Sequence, residues 1–100
     1  MDLHIQILDE VKEFLESLPE KDNAKVLASI TMMQTGAVNT VVTRQISGSI
    51  REIKVKQHRV LYFQRGNILY FVGGFTKKSQ KTPLREIENA KQIQKLIVQK

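Results

Sequence analysis

Apolar residues recur at spacings of three and four near the start of the chain, at Ile5, Leu8, Val11, Leu15 and Leu18, with Asp9, Glu10, Lys12, Glu13 and Glu16 between them. That period predicts an amphipathic helix from Ile5 to Leu18, ended by Pro19. A second helix is expected with Asp22 as its N-cap, Val26, Leu27, Ile30 and Met33 on its buried side, and Gly36 as a left-handed terminator. Met32 and Met33 read as gap-filling core. The two helices make a helical hairpin.

From Val38 the period shortens to two. Val41, Val42 and Ile46 lead into a strand from Ser49 to Val55, in which Ile53 and Val55 take one face and Ile50, Glu52 and Lys54 the other. The runs Arg59 to Gln64 and Ile68 to Phe75 are strands joined by Gly66-Asn67, a strong two-residue turn signal. Thr82 and Pro83 then read as the N-cap and first residue of a last helix that buries Leu84, Ile87, Ala90, Ile93 and Ile97. The expected architecture is α+β: the helical hairpin packed on a small antiparallel sheet of three or four strands, with a closing helix, all in one domain over residues 1–100.

Register converts this outline into a candidate site. A two-residue turn at Gly66-Asn67 pairs Arg65 with Ile68, Phe63 with Tyr70, Leu61 with Val72 and Arg59 with Gly74. A second such turn at Lys56-Gln57 pairs Lys54 with Arg59. Lys54, Arg59 and Gly74 then form one row, continued by Lys78, and the missing side chain at Gly74 leaves open space for a ligand. His58 falls on the opposite face by parity and reads as a solvated turn residue; Tyr62, Tyr70, Phe63 and Phe71 read as packing.

Charge says what that row meets. The chain carries a formal net charge of +6 at pH 7, with Asp9, Glu10, Glu13, Glu16, Glu20 and Asp22 early and most basic residues from Arg44 onward. Lys77, Lys78 and Lys81 crowd five positions just before the last helix, which is the pattern of a phosphate site. The plain alternative is a solvated basic surface in which Lys54 and Lys56 pair with Glu52, and Arg59 is its structural cross-strand partner. With no cysteine and two histidines far apart, neither a disulfide framework nor a metal centre is expected. No apolar run approaches the roughly 20 residues of a membrane span, so a cytoplasmic protein is expected, without cofactor or membrane partner.

Four segments carry a resemblance: Arg51-Glu52-Ile53-Lys54, His58-Arg59-Val60-Leu61-Tyr62-Phe63, the string from Gly74-Phe75-Thr76-Lys77-Lys78 through Ser79-Gln80-Lys81-Thr82-Pro83, and Glu86-Ile87-Glu88-Asn89-Ala90-Lys91. Together they resemble the phage Gp49-like branch of the RelE/HigB toxins, closely over the last half of the chain and loosely over the helices. The resemblance implies a RelE-like fold and a type II toxin–antitoxin toxin. It further implies a metal-independent mRNA interferase that cuts mRNA on the ribosome and is held inactive by a small antitoxin, often a helix-turn-helix protein. By position, Lys54, Arg59 and Lys78 stand for the catalytic cations. Arg59 is the transition-state clamp, whose planar fork holds two phosphate oxygens, and Lys54 is the candidate proton acceptor. Lys56, Lys77 and Lys81 are the candidate RNA and ribosome contacts. Relatives of this branch carry arginine where this chain has Lys54, and some RelE relatives place a proton-transferring tyrosine beyond the lysine pair, where no Tyr or His follows Lys78 here. The strand that usually precedes the hairpin in the family falls on Asp2 to Gln6, which fit the helix equally well. Two other readings stay open on the same scaffold: a ParE-like inhibitor that poisons DNA gyrase by protein contact, and a decayed phage module that binds without cutting.

Overall fold

The computed structural model describes residues 3–36, 41–78 and 81–99. Asp2, Val38 and the Ser79-Gln80 pair of the basic string lie outside the described residues. The elements run β1 (His4–Ile7), α1 (Asp9–Glu16), α2 (Glu20–Gln34), β2 (Thr43–Ser47), β3 (Ile50–Val55), β4 (His58–Arg65), β5 (Ile68–Thr76) and α3 (Leu84–Val98). The strands form one mixed sheet in the order β1-β5-β4-β3-β2, in which β1 is parallel to β5 and every other pair is antiparallel.

Strand alternation divides the core between the two faces of this sheet. On one face Val11 and Leu15 of α1 and Val26, Ile30 and Met33 of α2 pack on Ile53, Val60, Tyr62, Leu69 and Phe71. On the other, Ala90 of α3 covers Ile50, Leu61, Phe63 and Val72, with Tyr70 stacked on Phe63 at 5.1 Å.

Among the described residues the sheet has five strands, not three or four, and the amino-terminal residues explain part of the difference. Leu3, Ile5 and Ile7 are partly buried against the α1/α2 core while His4 and Gln6 are exposed, a period of two hidden inside the helical spacing. The exposed edge of β5 decides between the periods: strand pairing from His4 with Ile68 to Ile7 with Phe71 satisfies backbone groups that an Ile5–Leu18 helix would leave unpaired. The first helix therefore shrinks to Asp9–Glu16 and rests mainly on β5 rather than on α2, so the expected helical hairpin is not the organising unit. The other added strand, β2, returns through Gly48 at φ +57° to pair with β3.

Several local expectations also shift. Asp22 does not cap α2, which starts at Glu20 behind Pro19; its carboxylate is engaged elsewhere. Gly36 does terminate that helix region, at φ +85°. Leu27 and Met32 are about half exposed, and Leu84 is 68% exposed. Thr82 does not cap α3, whose N-cap is Pro83.

Candidate active site

The alternation that buries Ile50 under α3 sends Glu52 and Lys54 to the same side further along β3, and Arg59 shares that side with Leu61 and Phe63 on β4. Beyond the reach of α3 this face becomes an open basin of about 860 Å³. Its lining includes five cations, Arg44, Lys54, Arg59, Lys77 and Lys78, against the single carboxylate of Glu52. Lys54 pairs directly with Arg59, as the Lys56-Gln57 turn predicts. So many cations around one concave surface attract a polyanion, because each adds to a potential that the low-dielectric wall focuses outward.

Glu52 is the anchor of the basin floor. It is 2% exposed, and its Oε1 lies 3.3 Å from Arg59 Nε and 3.6 Å from Arg44 Nη2. The Thr82 hydroxyl donates to Oε2 at 3.0 Å and accepts from Arg44 Nη2 at 3.3 Å. Thr82 therefore ties the residue just before Pro83 to β3 and to Arg44 of β2. A buried carboxylate needs this many partners, since an unpaired ion in such a place costs several kcal/mol.

Arg59 is held as tightly, at 5% exposure. Nη1 donates to the carbonyl of Lys56 at 2.8 Å and to that of His58 at 3.0 Å, and the buried Nε faces Glu52 outside hydrogen-bond geometry. With both Nη1 protons committed, what the guanidinium can offer a phosphate is its Nη2 edge, and not the end-on fork expected of it. The cross-strand partnership with Glu52 and the place in the basin are both real.

The register beyond Leu61 departs from the simple count. The turn at Gly66-Asn67 does pair Arg65 with Ile68 and Phe63 with Tyr70, but a bulge follows: Tyr62 pairs with Phe71 and Leu61 with Gly73, leaving Val72 as the extra residue. Arg59 consequently faces Phe75, and Gly74 pairs with Val60. Gly74 is not an open floor either. A Cβ there would lie 2.5 Å from Cδ2 of Phe14, so the glycine admits the α1 ring on the opposite face. Lys54, Arg59 and Lys78 nonetheless line one basin.

Of the remaining candidates, Lys77 lines the basin at 9% exposure, its N–H donating to Gln57 O at 2.7 Å, whereas Lys56 and Lys81 are exposed and are not among the lining residues. The Lys56 ammonium turns to the helix side, where it binds Asp22 Oδ1 at 2.7 Å. His58 lies on that side too, as parity predicts, but it is largely buried instead of solvated: Nε2 is 2.9 Å from Asp22 Oδ2 and Nδ1 is 3.0 Å from Thr76 Oγ1. An ionised carboxylate only accepts, so Nε2 carries the donated proton. The bonds from Lys56 first, and His58 second, hold the Asp22 carboxyl below its ordinary value. Sequence reasoning missed Arg44 as a site residue. It stands directly opposite Glu52 in the β2–β3 register, a signal available only once residues 43–47 are read as a strand.

A mixed sheet with helices on both faces frames this basin at one end. The chain is similar to the RelBE2 toxin–antitoxin complex of Mycobacterium tuberculosis, with a TM-score of 0.62 at 10% identity over 77% of this chain and 100% of that one. It is similar to the RelB-RelE antitoxin–toxin complex of Methanococcus jannaschii to the same TM-score of 0.62, at 12% identity over 70% and 87% of the two chains. No curated protein matches it by sequence. Residues 13–95 match the family described as Phage derived protein Gp49-like (DUF891), and the chain belongs to that RelE-type toxin family.

Proposed function

We infer that this protein is the toxin of a type II toxin–antitoxin pair and that it cuts mRNA on the ribosome. The observation that supports this reading is the convergence of Arg44, Lys54, Arg59, Lys77 and Lys78 on one basin in a chain of the Gp49-like family. Attack of a ribose 2′-OH on the adjacent phosphate requires a proton acceptor, a counter-charge for the phosphorane and a stabiliser for the leaving 5′ oxygen. In this reading the Nη2 edge of Arg59 neutralises the phosphorane, and Lys54 beside it is the acceptor of the 2′ proton. Lys78 stabilises the leaving oxygen, and Lys77 with Arg44 holds the backbone. No step calls for a metal. The partner is an antitoxin, of the small helix-turn-helix kind, whose acidic segment neutralises the basin charge for charge. The site of action is the cytoplasm, where ribosomes are.

The experiment is to map mRNA 5′ ends in a reconstituted translation reaction, with and without ribosomes, for the wild type and for Lys54→Ala and Lys78→Ala. Both side chains are exposed, so their removal leaves the fold in place. Codon-phased cuts that need ribosomes and fade in both variants are the expected result. Absence of cuts by a folded wild type that still arrests growth would instead support gyrase inhibition by protein contact.

A further inference from the structure

Asp22 sits on α2, across the sheet from the basin, yet its two carboxylate oxygens bind the side chains of the two residues whose carbonyls hold Arg59. Oδ1 takes the Lys56 ammonium at 2.7 Å and Oδ2 takes His58 Nε2 at 2.9 Å. The carbonyls of Lys56 and His58 receive the two protons of Arg59 Nη1. The turn between them is not one that relaxes there unaided, since Lys56 is at φ +56°, a left-handed conformation that disfavours a non-glycine residue. Thr76 Oγ1 on His58 Nδ1 and the Lys77 N–H on Gln57 O close the turn from β5.

We propose that Asp22 is a positioning residue: through the Lys56–His58 turn it sets the height and rotation of the Arg59 guanidinium over the basin. The role in RNA cleavage rests on the reading above, whereas the mechanical coupling does not. A carboxylate that bridges both cradle residues fixes their carbonyls relative to each other, and with Nη1 locked the plane of the guanidinium follows. Release of the bridge frees the strained turn to rotate, the carbonyl pair separates, and the Nη2 edge swings away from where charge develops. Displacements of this size at a catalytic group cost on the order of 10- to 100-fold in turnover.

Two measurements on Asp22→Asn and Lys56→Met test this. In the first, NMR of the folded proteins follows the Arg59 side-chain protons. The wild type is expected to show Nη1 and Nη2 protons as separate signals, because rotation about the guanidinium bonds is blocked, and both variants are expected to merge or broaden them. In the second, cleavage kinetics on ribosome-bound mRNA should give a kcat at least about tenfold lower for Asp22→Asn with KM unchanged, a smaller loss for Lys56→Met, and no further loss when the two are combined. A merely structural role would lower the melting point without this split. Should Asp22→Asn fail to fold, Lys56→Met, which alters an exposed side chain, carries both readouts. Unchanged Arg59 signals in folded variants overturn the coupling even if the wild type cuts RNA. Released signals in a protein that never cuts RNA leave the coupling standing and overturn the ribonuclease reading instead.

Discussion

Replacing Arg59 by alanine should damage the fold as well as the site. Arg59 has a side chain 6% exposed, binds two carbonyls and lies beside a carboxylate whose side chain is 3% exposed. Truncation leaves the Lys56 and His58 carbonyls short of a donor, at about 1 kcal/mol or more each, and strands part of the charge of Glu52. Arg44 and Thr82 still reach that carboxylate, which limits the loss without removing it. Removal of one partner from a buried pair costs about 3–5 kcal/mol, against a total stability of about 5–15 kcal/mol for a small domain. With a urea slope of about 1.5 kcal/mol per molar, the unfolding midpoint should fall by roughly 2 to 3 M. The assay is urea unfolding followed by circular dichroism for the wild type, Arg59→Ala and the double variant Arg59→Met/Glu52→Leu. The double variant should recover much of the loss, because apolar side chains of similar size replace both ions. A midpoint for Arg59→Ala within about 0.5 M of the wild type would refute the reasoning, and Arg59 could then be read as a purely catalytic group.

Gly74→Ala should destabilise by about 1–3 kcal/mol, because its methyl group meets the Phe14 ring; equal thermal stability of the two proteins would mean that α1 shifts freely. Lys54→Ala and Lys78→Ala should each change stability by no more than about 0.5 kcal/mol, so any loss of cleavage in them is chemical or associative, read by kinetics beside a melting curve. Lys77→Ala should weaken RNA association and lower the slope of log affinity against log salt by roughly one, measured by titration at several salt concentrations. The acid limb of stability carries the Asp22 signature. Its carboxyl titrates lower in the folded chain than the usual value of about 3.9, so its contribution is present above about pH 4 and disappears as pH falls through the folded value. Asp22→Asn should therefore flatten the stability profile between about pH 4 and more acidic conditions, and a profile as steep as the wild type's would count against the clamp.

Much of the sheet was legible in the residues. Gly66-Asn67 pins the β4–β5 hairpin, Lys56-Gln57 sets Lys54 against Arg59, and alternation separates the Ile53 face from the Glu52 face. These are local rules, in which a turn residue or a period of two carries its own geometry. The basic string and its three companion segments also carried the family, since a motif needs no tertiary context to be read. The fate of residues 4–7 was not local. Ile5 suits a helix and a strand alike, and only the free edge of β5 makes the strand the better partner for its backbone.

The site divides in the same way. Sequence by itself set Lys54 against Arg59, because the Lys56-Gln57 turn carries its own register, whereas Lys77 and Lys78 meet them in the basin only in the folded chain, since the bulge at Val72 overturns the parity count along β5. Tertiary structure alone decided that Glu52 would be buried beneath them, that Thr82 would leave the helix cap to hold it, and that Gly74 would admit Phe14 instead of a ligand. It also decided that Asp22 would reach from α2 to the turn that cradles Arg59. The Thr82, Phe14 and Asp22 contacts join residues thirty or more positions apart, and the space in which a charge finds its partners or a ring is buried exists only after the helices have packed on the sheet.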